Sequence, residues 1–347
     1  MTSTSDISKQ YKKQTHRENI LARPDTYVGN TSEINEDRVI VDADNNFVLK
    51  QNCKYQPALL KIVDELIVNA TDASKTDKTL NEIRVNINLI NNSIEVSNNG
   101  KGIPVVKHEE YKIYIPEMIF GHLLTSTNYD DTVDRDGIGG RNGYGAKLTN
   151  IYSSSFEVYT NTFYQKYENN MEIMGKPIIH PKKIWKGVKI CFVPDLKLFN
   201  IDSLSSNDIL AVIKKRVFDI CAVVSNKIKV YFNDTLVDIT NFTEYVKKYI
   251  SDQSSLSCDS LLIEKPNKWN VCLQPILDSN ANSVSHVTFV NGISTSSGGT
   301  HVDYIYNCIF NHLKKKHKEL TISIMKKHMI IFINATIINP SFSSQSK

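Results

Sequence analysis

The sequence lacks the features that would place it in a zinc-ribbon, secreted or membrane class. Its six cysteines, at positions 53, 191, 221, 258, 272 and 308, never fall at CxxC spacing, so a structural zinc site is not expected. The amino-terminal residues are polar and contain no apolar segment of a secretory leader. No apolar run approaches the ~18 residues that a membrane-spanning helix needs. We therefore expect a soluble intracellular protein with reduced thiols and no membrane partner.

An excess of charge of one sign is also missing. The net charge of +4, from 41 Lys and Arg against 37 Asp and Glu, permits an anionic partner without indicating one. At roughly 100–200 residues per domain, a chain of this length favours two domains. We place the boundary in the polar run over 200–207. This gives expected domains of residues 1–202 and 203–347.

Periodicity predicts the main secondary-structure elements. Apolar residues at three- and four-residue steps predict a helix over 57–73, and alternating segments at 84–89 and 93–97 predict a hairpin. In the second half the pattern predicts a helix over 208–224, strands at 227–232, 287–290 and 329–333, and a lysine-bearing helix that ends near residue 318.

Three polar residues of the helix predicted over 57–73 have a spacing that places them at one site. Steps of four and seven put Glu65, Asn69 and Asp72 on one stripe, opposite the apolar face. An amide oxygen such as that of Asn69 suits Mg²⁺, which keeps several waters and takes few protein ligands. A carboxylate one turn away can accept the proton of an attacking water. The alternative is an ordinary amphipathic helix with a solvated polar face.

A short turn follows the predicted hairpin. It contains Asn98, Gly100, Gly102 and Ile103. Glycines on both sides of one residue let the backbone approach a flat ligand, and the Asn98 amide can pair with a base edge. An ordinary glycine turn remains the alternative.

The segment from Gly137 to Gly145 holds five of the fourteen glycines. Closely spaced glycines let N–H groups converge on phosphate oxygens, and a helix beginning near Ala146 would add its positive end. Lys147 supplies a cation, but Leu148 stands where a Walker A loop carries Ser or Thr. A flexible surface loop is the alternative.

The order and spacing of these motifs resemble the N, G1 and G2 boxes of the GHKL ATPase family. The resemblance implies an α+β fold, in which a Bergerat sandwich of antiparallel or mixed sheet and helices clamps ATP. A ribosomal-S5-like transducer domain would follow, ending in a switch loop. Four further blocks, at 23–29, 114–131, 298–304 and 339–347, are similar to the eukaryotic-type type II DNA topoisomerases.

That resemblance implies a role for each matching residue. Glu65 would be the general base, Asn69 a Mg²⁺ ligand and Asn98 the adenine contact. Gln345 and Lys347 would reach the γ-phosphate from the transducer. The remaining nucleotide contacts would come from Asp72, Gly102, Ile103, Ser126, Thr127, Asn128, Arg141, Asn142, Gly143, Tyr144, Gly145, Ala146 and Lys147. Tyr11 would belong to an amino-terminal strap.

The expected function is therefore that of the ATPase region of a type II topoisomerase. Its cofactors would be ATP and Mg²⁺, and its partners a second copy on ATP binding and, through the full enzyme, double-stranded DNA. The chain ends at the switch lysine without a cleavage domain, so we expect a fragment that hydrolyses ATP and relaxes no DNA alone. The alternatives are a MutL- or Hsp90-like GHKL clamp and a non-enzymatic DNA-binding module.

Departures from the family pattern indicate a divergent member. Ser346 stands at the position of the switch threonine, and Val188 where relatives carry threonine near adenine. The loop over 131–137 also differs from the pattern of the cellular eukaryotic members of the family. We expect a viral source. The expected location is the nucleus or, for a viral protein, the host cytoplasm.

Overall fold

The structure is a computed structural model that describes residues 13–123, 143–251, 261–265, 269–276 and 285–342. Two large sheets with helices packed on them form the predicted α+β fold. None of the helices in these ranges is both long and apolar enough to cross a membrane.

The described residues include three long helices and several shorter ones. Their bounds are α1 (His16–Ala22), α2 (Pro24–Tyr27), α3 (Pro57–Thr76), α4 (Ile115–Gly121), α5 (Gly145–Ile151), α6 (Ile209–Val223), α7 (Phe242–Ser251), α8 (Thr300–Leu313) and α9 (Ile322–Lys327). The predicted helices at 57–73 and 208–224 are confirmed as α3 and α6. Pro57 begins α3 at a position where a backbone N–H would have no partner within the helix.

The larger sheet follows a separate antiparallel pair, β1 (Ile34–Val41) and β2 (Phe47–Tyr55). Its strands are β3 (Glu82–Asn88), β4 (Ser93–Asn98), β5 (Ser153–Asn161), β6 (Phe163–Glu168), β7 (Ile173–Met174), β8 (Ile178–Ile179), β9 (Trp185–Pro194), β10 (Lys229–Phe232) and β11 (Thr235–Leu236). They lie in the order β11-β10-β3-β4-β9-β5-β6-β7, with β8 also paired to β6. The predicted hairpin is confirmed as β3 and β4.

Alternation along the strands gives this sheet two different faces. Ile83, Val85 and Ile94 are fully buried on the face that the helices cover. Their neighbours in the strands point to the other face, where the Arg84 guanidinium lies 3.8 Å from the ring centre of Tyr231. The core and α3 therefore share one side of the sheet.

The smaller sheet lies in the second half of the chain. Its strands are β12 (Leu261–Lys265), β13 (Trp269–Pro275), β14 (His286–Val290), β15 (Ile293–Ser294) and β16 (Met329–Ala335), in the order β12-β13-β16-β14-β15. Val302 and Tyr306 of α8 and Met325 of α9 form a second core with Ile331 and Ile333 of β16. The helix expected to end near residue 318 ends at Leu313.

The change from one sheet to the other occurs later in the chain than the domain boundary that the sequence predicts. Helix α6 packs on α3 and β1, and β10 pairs in parallel with β3. Both elements follow the expected boundary between residues 202 and 203. The change from the first sheet to the second lies between Leu236 and Leu261, whereas the division into independently folding domains stays a prediction.

Candidate functional site

Helix α3 carries Glu65, Asn69 and Asp72, as predicted, but their surroundings differ along the helix. Asn69 is exposed, and its side chain bonds to no other residue in the described ranges. Glu65 is only 7% exposed because α5 packs across this part of α3, so the alternative of a uniformly solvated polar face does not hold. A buried carboxylate next to an exposed amide replaces the uniform polar face.

Glu65 is held from two sides. The ammonium of Lys61, one turn earlier, forms an ion pair with the Glu65 carboxylate, and both side chains are almost fully buried. On the other side lies Gly145, the first residue of α5, where an added Cβ would overlap the Glu65 carboxylate. Thr149 fixes the two helices together by donating its hydroxyl to the Ile62 carbonyl at 2.8 Å.

This packing predicts a selective effect of Gly145→Ala. The added methyl group displaces the Glu65 carboxylate, and a displacement of about 1 Å can lower a catalysed rate by roughly 100-fold. The sequence resemblance implies ATP hydrolysis, and we expect its rate to fall by about that factor while the chain stays folded, since a flexible carboxylate can move aside. Phosphate release measures the rate of hydrolysis, and thermal unfolding shows whether the chain stays folded.

Lys147 lies on α5, the helix that packs against α3 beside Glu65. Its side chain is 1% exposed, and its ammonium donates to the Gly143 carbonyl at 2.7 Å. Burial lowers the pKa of Lys147 to about 8. Tyr144 and Ala146, also predicted as site residues, flank the start of α5, which confirms a helix beginning near residue 146.

Asn98 ends β4 on the helix-covered face of the sheet, two residues after the buried Val96. Its Oδ1 atom accepts the backbone N–H groups of Gly100 at 3.2 Å and Val188 at 3.4 Å. These two donors fix the amide orientation, so the Nδ2 group is the part of Asn98 left to meet an acceptor.

The turn after β4 is built by close backbone packing. Gly102 has a φ of 75°, and an added Cβ would lie 2.7 Å from both the Gly187 carbonyl oxygen and the Thr160 hydroxyl oxygen. Thr160 donates to the Gly187 carbonyl at 2.8 Å and accepts the Ile103 N–H at 2.9 Å. Thr160 on β5 pairs with Val188 on β9, the position at which relatives carry a threonine hydroxyl and this chain does not. This threonine therefore holds the turn against β9.

Sequence reasoning missed three residues that shape the site. Lys61 had a readable signal, since lysine and glutamate four residues apart on a helix form an ion pair. Asp77 accepts the Lys101 N–H at 2.5 Å, and this bond is the main reason why its pKa lies below the ordinary value. Asp77 and Thr160 act across long sequence separations, for which no local pattern exists.

Other predicted site residues lie outside the described ranges. These are Ser126, Thr127, Asn128, Arg141, Asn142, Gln345 and Lys347, together with Tyr11. Within the described ranges, no three His, Cys, Asp or Glu side chains gather as a metal cluster. A cavity of about 180 Å³ is lined by Arg84 and Ser97, which lie on the opposite face of the sheet, and also by Asn98 and Trp185.

Two family models match separate parts of the chain. Residues 54–173 match the family of histidine kinase-, DNA gyrase B-, and HSP90-like ATPases. Residues 241–347 match the DNA gyrase B family. The two matches cover the nucleotide boxes and the second sheet respectively.

Individual relatives narrow the assignment. DNA topoisomerase 2 of Arabidopsis thaliana is 41% identical over 98% of this chain. That of Saccharomyces cerevisiae is 40% identical over the whole of this chain. The chain spans about a quarter of those proteins, 24% and 26% respectively.

Solved structures match the fold as well as the sequence. The ATPase region of Saccharomyces cerevisiae topoisomerase II superposes with a TM-score of 0.89 at 40% identity, covering 98% of this chain and 89% of that one. The ATPase and transducer domains of DNA topoisomerase II from Balamuthia mandrillaris give 0.88 at 38% identity, covering 98% and 88%. The chain therefore belongs to the family of eukaryotic-type type II DNA topoisomerases and corresponds to their ATPase region.

Proposed function

We propose that this chain binds ATP with Mg²⁺ between α3, the turn after β4 and the start of α5, and that Glu65 is the general base. The observation that carries this proposal is the buried Glu65 carboxylate, oriented by Lys61 and bounded by Gly145. A carboxylate held in this way can orient an attacking water and accept its proton. The exposed Asn69 offers an amide oxygen to Mg²⁺, which neutralises phosphate charge when bound.

The remaining nucleotide contacts follow the same proposal. Asn98 faces adenine, and its fixed amide presents a donor that suits a ring nitrogen. Lys147 and the amides of the glycine segment surround the triphosphate. Ser126, Thr127, Asn128, Arg141 and Asn142 complete this enclosure, and Asp72 supports it from α3.

We further propose that the nucleotide controls a gate. Gln345 and Lys347 reach the γ-phosphate, so ATP and ADP favour different arrangements of the two sheets. A second copy of the chain closes against the first when ATP is bound. In the full enzyme, closure captures a DNA duplex and hydrolysis drives its passage, which changes DNA topology.

The catalytic part of the proposal is tested by phosphate release. The wild-type chain should hydrolyse ATP in the presence of Mg²⁺ and lose activity when EDTA removes it. Lys347→Ala should lower the turnover number by about 10³-fold, the effect of losing a cation that stabilises charge on the γ-phosphate. An unchanged turnover number for Lys347→Ala would exclude the switch role, and no ATP hydrolysis by the wild type would refute the proposal.

Proton uptake on ATP binding tests whether Lys147 lies beside the triphosphate. Its folded pKa of about 8 lies below the ordinary value of 10.5, so the group is largely neutral above pH 8 before ATP binds. Nearby phosphate charge raises this pKa, and ATP binding at pH 8.5–9 should take up a proton that binding at pH 7 does not. Titration calorimetry in buffers of different ionisation enthalpy measures the uptake. Equal uptake by Lys147→Met would contradict the placement.

The low pKa of Lys147 also has a consequence without nucleotide. Because the unfolded chain binds this proton more tightly, the contribution of Lys147 to stability becomes more favourable as pH rises from about 8 towards 10.5.

We propose a viral source for the chain, similar to the type II topoisomerase of African swine fever virus, and an intracellular location. Identities of about 40% to plant and fungal relatives support a divergent member. Sequence comparison with that viral enzyme tests the proposal. An identity no higher than that to the plant protein would contradict it.

A further inference from the structure

The hairpin between β14 and β15 turns through two residues, Asn291 and Gly292. Both have positive φ values, 52° and 83°, which an Asn-Gly pair adopts readily in a tight hairpin. The tip of this hairpin meets α3 and α6. An added Cβ on Gly292 would lie 3.5 Å from the Lys75 ammonium and 3.6 Å from the Thr71 hydroxyl oxygen.

Two cations from the helices hold the carbonyls of this turn. The Lys75 ammonium donates to the Asn291 carbonyl at 2.8 Å and pairs with Asp72 at 2.8 Å. Arg216 of α6 donates to the Gly292 carbonyl at 2.9 Å and to the Asp64 carboxylate at 2.5 Å. Charge-assisted bonds of this kind are stronger than neutral ones, so the turn is fixed to both helices.

The same asparagine holds the chain that leaves the second sheet. Asn291 is 2% exposed, and its side-chain oxygen accepts the Ile337 N–H at 2.9 Å while its amide donates to the Ile337 carbonyl at 2.9 Å. Its own N–H donates to the Ala335 carbonyl at 2.9 Å. The segment after β16 is therefore bonded to the turn that α3 holds.

We infer that Lys75 is a positioning residue that couples the nucleotide-binding helix to residues 335–342 through the Asn291–Gly292 turn. The inference rests on the proposed function, in which Asp72 on α3 lies at the nucleotide. Lys75 is shared between Asp72 and Asn291, so a change at Asp72 alters the strength of the contact with the turn. That difference shifts the arrangement of the segment that leads to Gln345 and Lys347.

Hydrogen exchange at Ile337 tests the coupling, because its N–H is bonded to Asn291. Mass spectrometry of a peptide covering 334–342 is compared with and without saturating non-hydrolysable ATP analogue and Mg²⁺. The variants are Lys75→Met, Asn291→Gly and the control Lys78→Met, an exposed lysine in the turn just after α3. Asn291→Gly keeps the positive φ and the carbonyl but removes both side-chain bonds to Ile337.

In the wild type and Lys78→Met, the analogue should change the exchange rate by about five-fold or more, the lower end of typical coupling between sites. Lys75→Met and Asn291→Gly should bind the analogue and lose this change. Thermal unfolding of each variant verifies that it is folded. A response retained in Lys75→Met, or absent from a wild type that binds the analogue, would overturn the inference alone. A wild type that binds no nucleotide would refute the proposed function and the inference together.

Discussion

Glu65→Gln should lower the turnover number for ATP by about 10²–10⁴-fold, the usual contribution of a general base. The amide keeps the shape of the carboxylate but cannot accept a proton from water. Nucleotide contacts come from other residues in our account, so the dissociation constant of a non-hydrolysable ATP analogue should change little. Phosphate release gives the first quantity, and titration calorimetry gives the second.

A matched carboxylate provides the control for this substitution. Glu95 lies on β4 on the opposite face of the sheet and is partly exposed. Glu95→Gln should therefore leave turnover unchanged. Loss of analogue binding in Glu65→Gln would show that this carboxylate holds nucleotide, and full turnover would show that another group is the base.

Lys61→Met should produce the largest loss of stability. Removing one partner of a buried ion pair leaves the other charge without compensation, which typically costs about 3–5 kcal/mol. The ion pair between Lys61 and Glu65 is 8% and 9% exposed at its two side chains. We expect the free energy of unfolding in urea to fall by about this amount, and turnover to fall as Glu65 loses its orienting partner.

Two further variants separate this effect from a general one. The ion pair of Lys50 with Asp208 is 43% and 21% exposed, so Lys50→Met should cost no more than about 1 kcal/mol. The double variant Lys61→Met with Glu65→Gln removes both charges and should be more stable than Lys61→Met alone. A double variant that is no more stable than Lys61→Met alone would contradict the buried-pair explanation.

Local pattern was sufficient for the elements that carry the nucleotide motifs. The apolar repeat identified α3, and alternation identified the β3–β4 hairpin. The glycine segment indicated a helix start that the structure has at Gly145. These features depend on residues close in sequence, where periodicity and turn preferences act directly.

Contacts between distant segments could not be predicted in this way. The burial of Glu65 depends on α5, about eighty residues further along the chain. The parallel pairing of β10 with β3 joins segments separated by more than a hundred residues. Nothing near residue 229 in the sequence specifies that partner, which is why the expected boundary precedes β10.

The most direct test of the account is sedimentation of the purified chain with Mg²⁺, with and without a non-hydrolysable ATP analogue. We expect a monomer without nucleotide and a dimer with it, since the nucleotide closes one copy against another. A chain that binds the analogue and remains a monomer at all concentrations would contradict the gate.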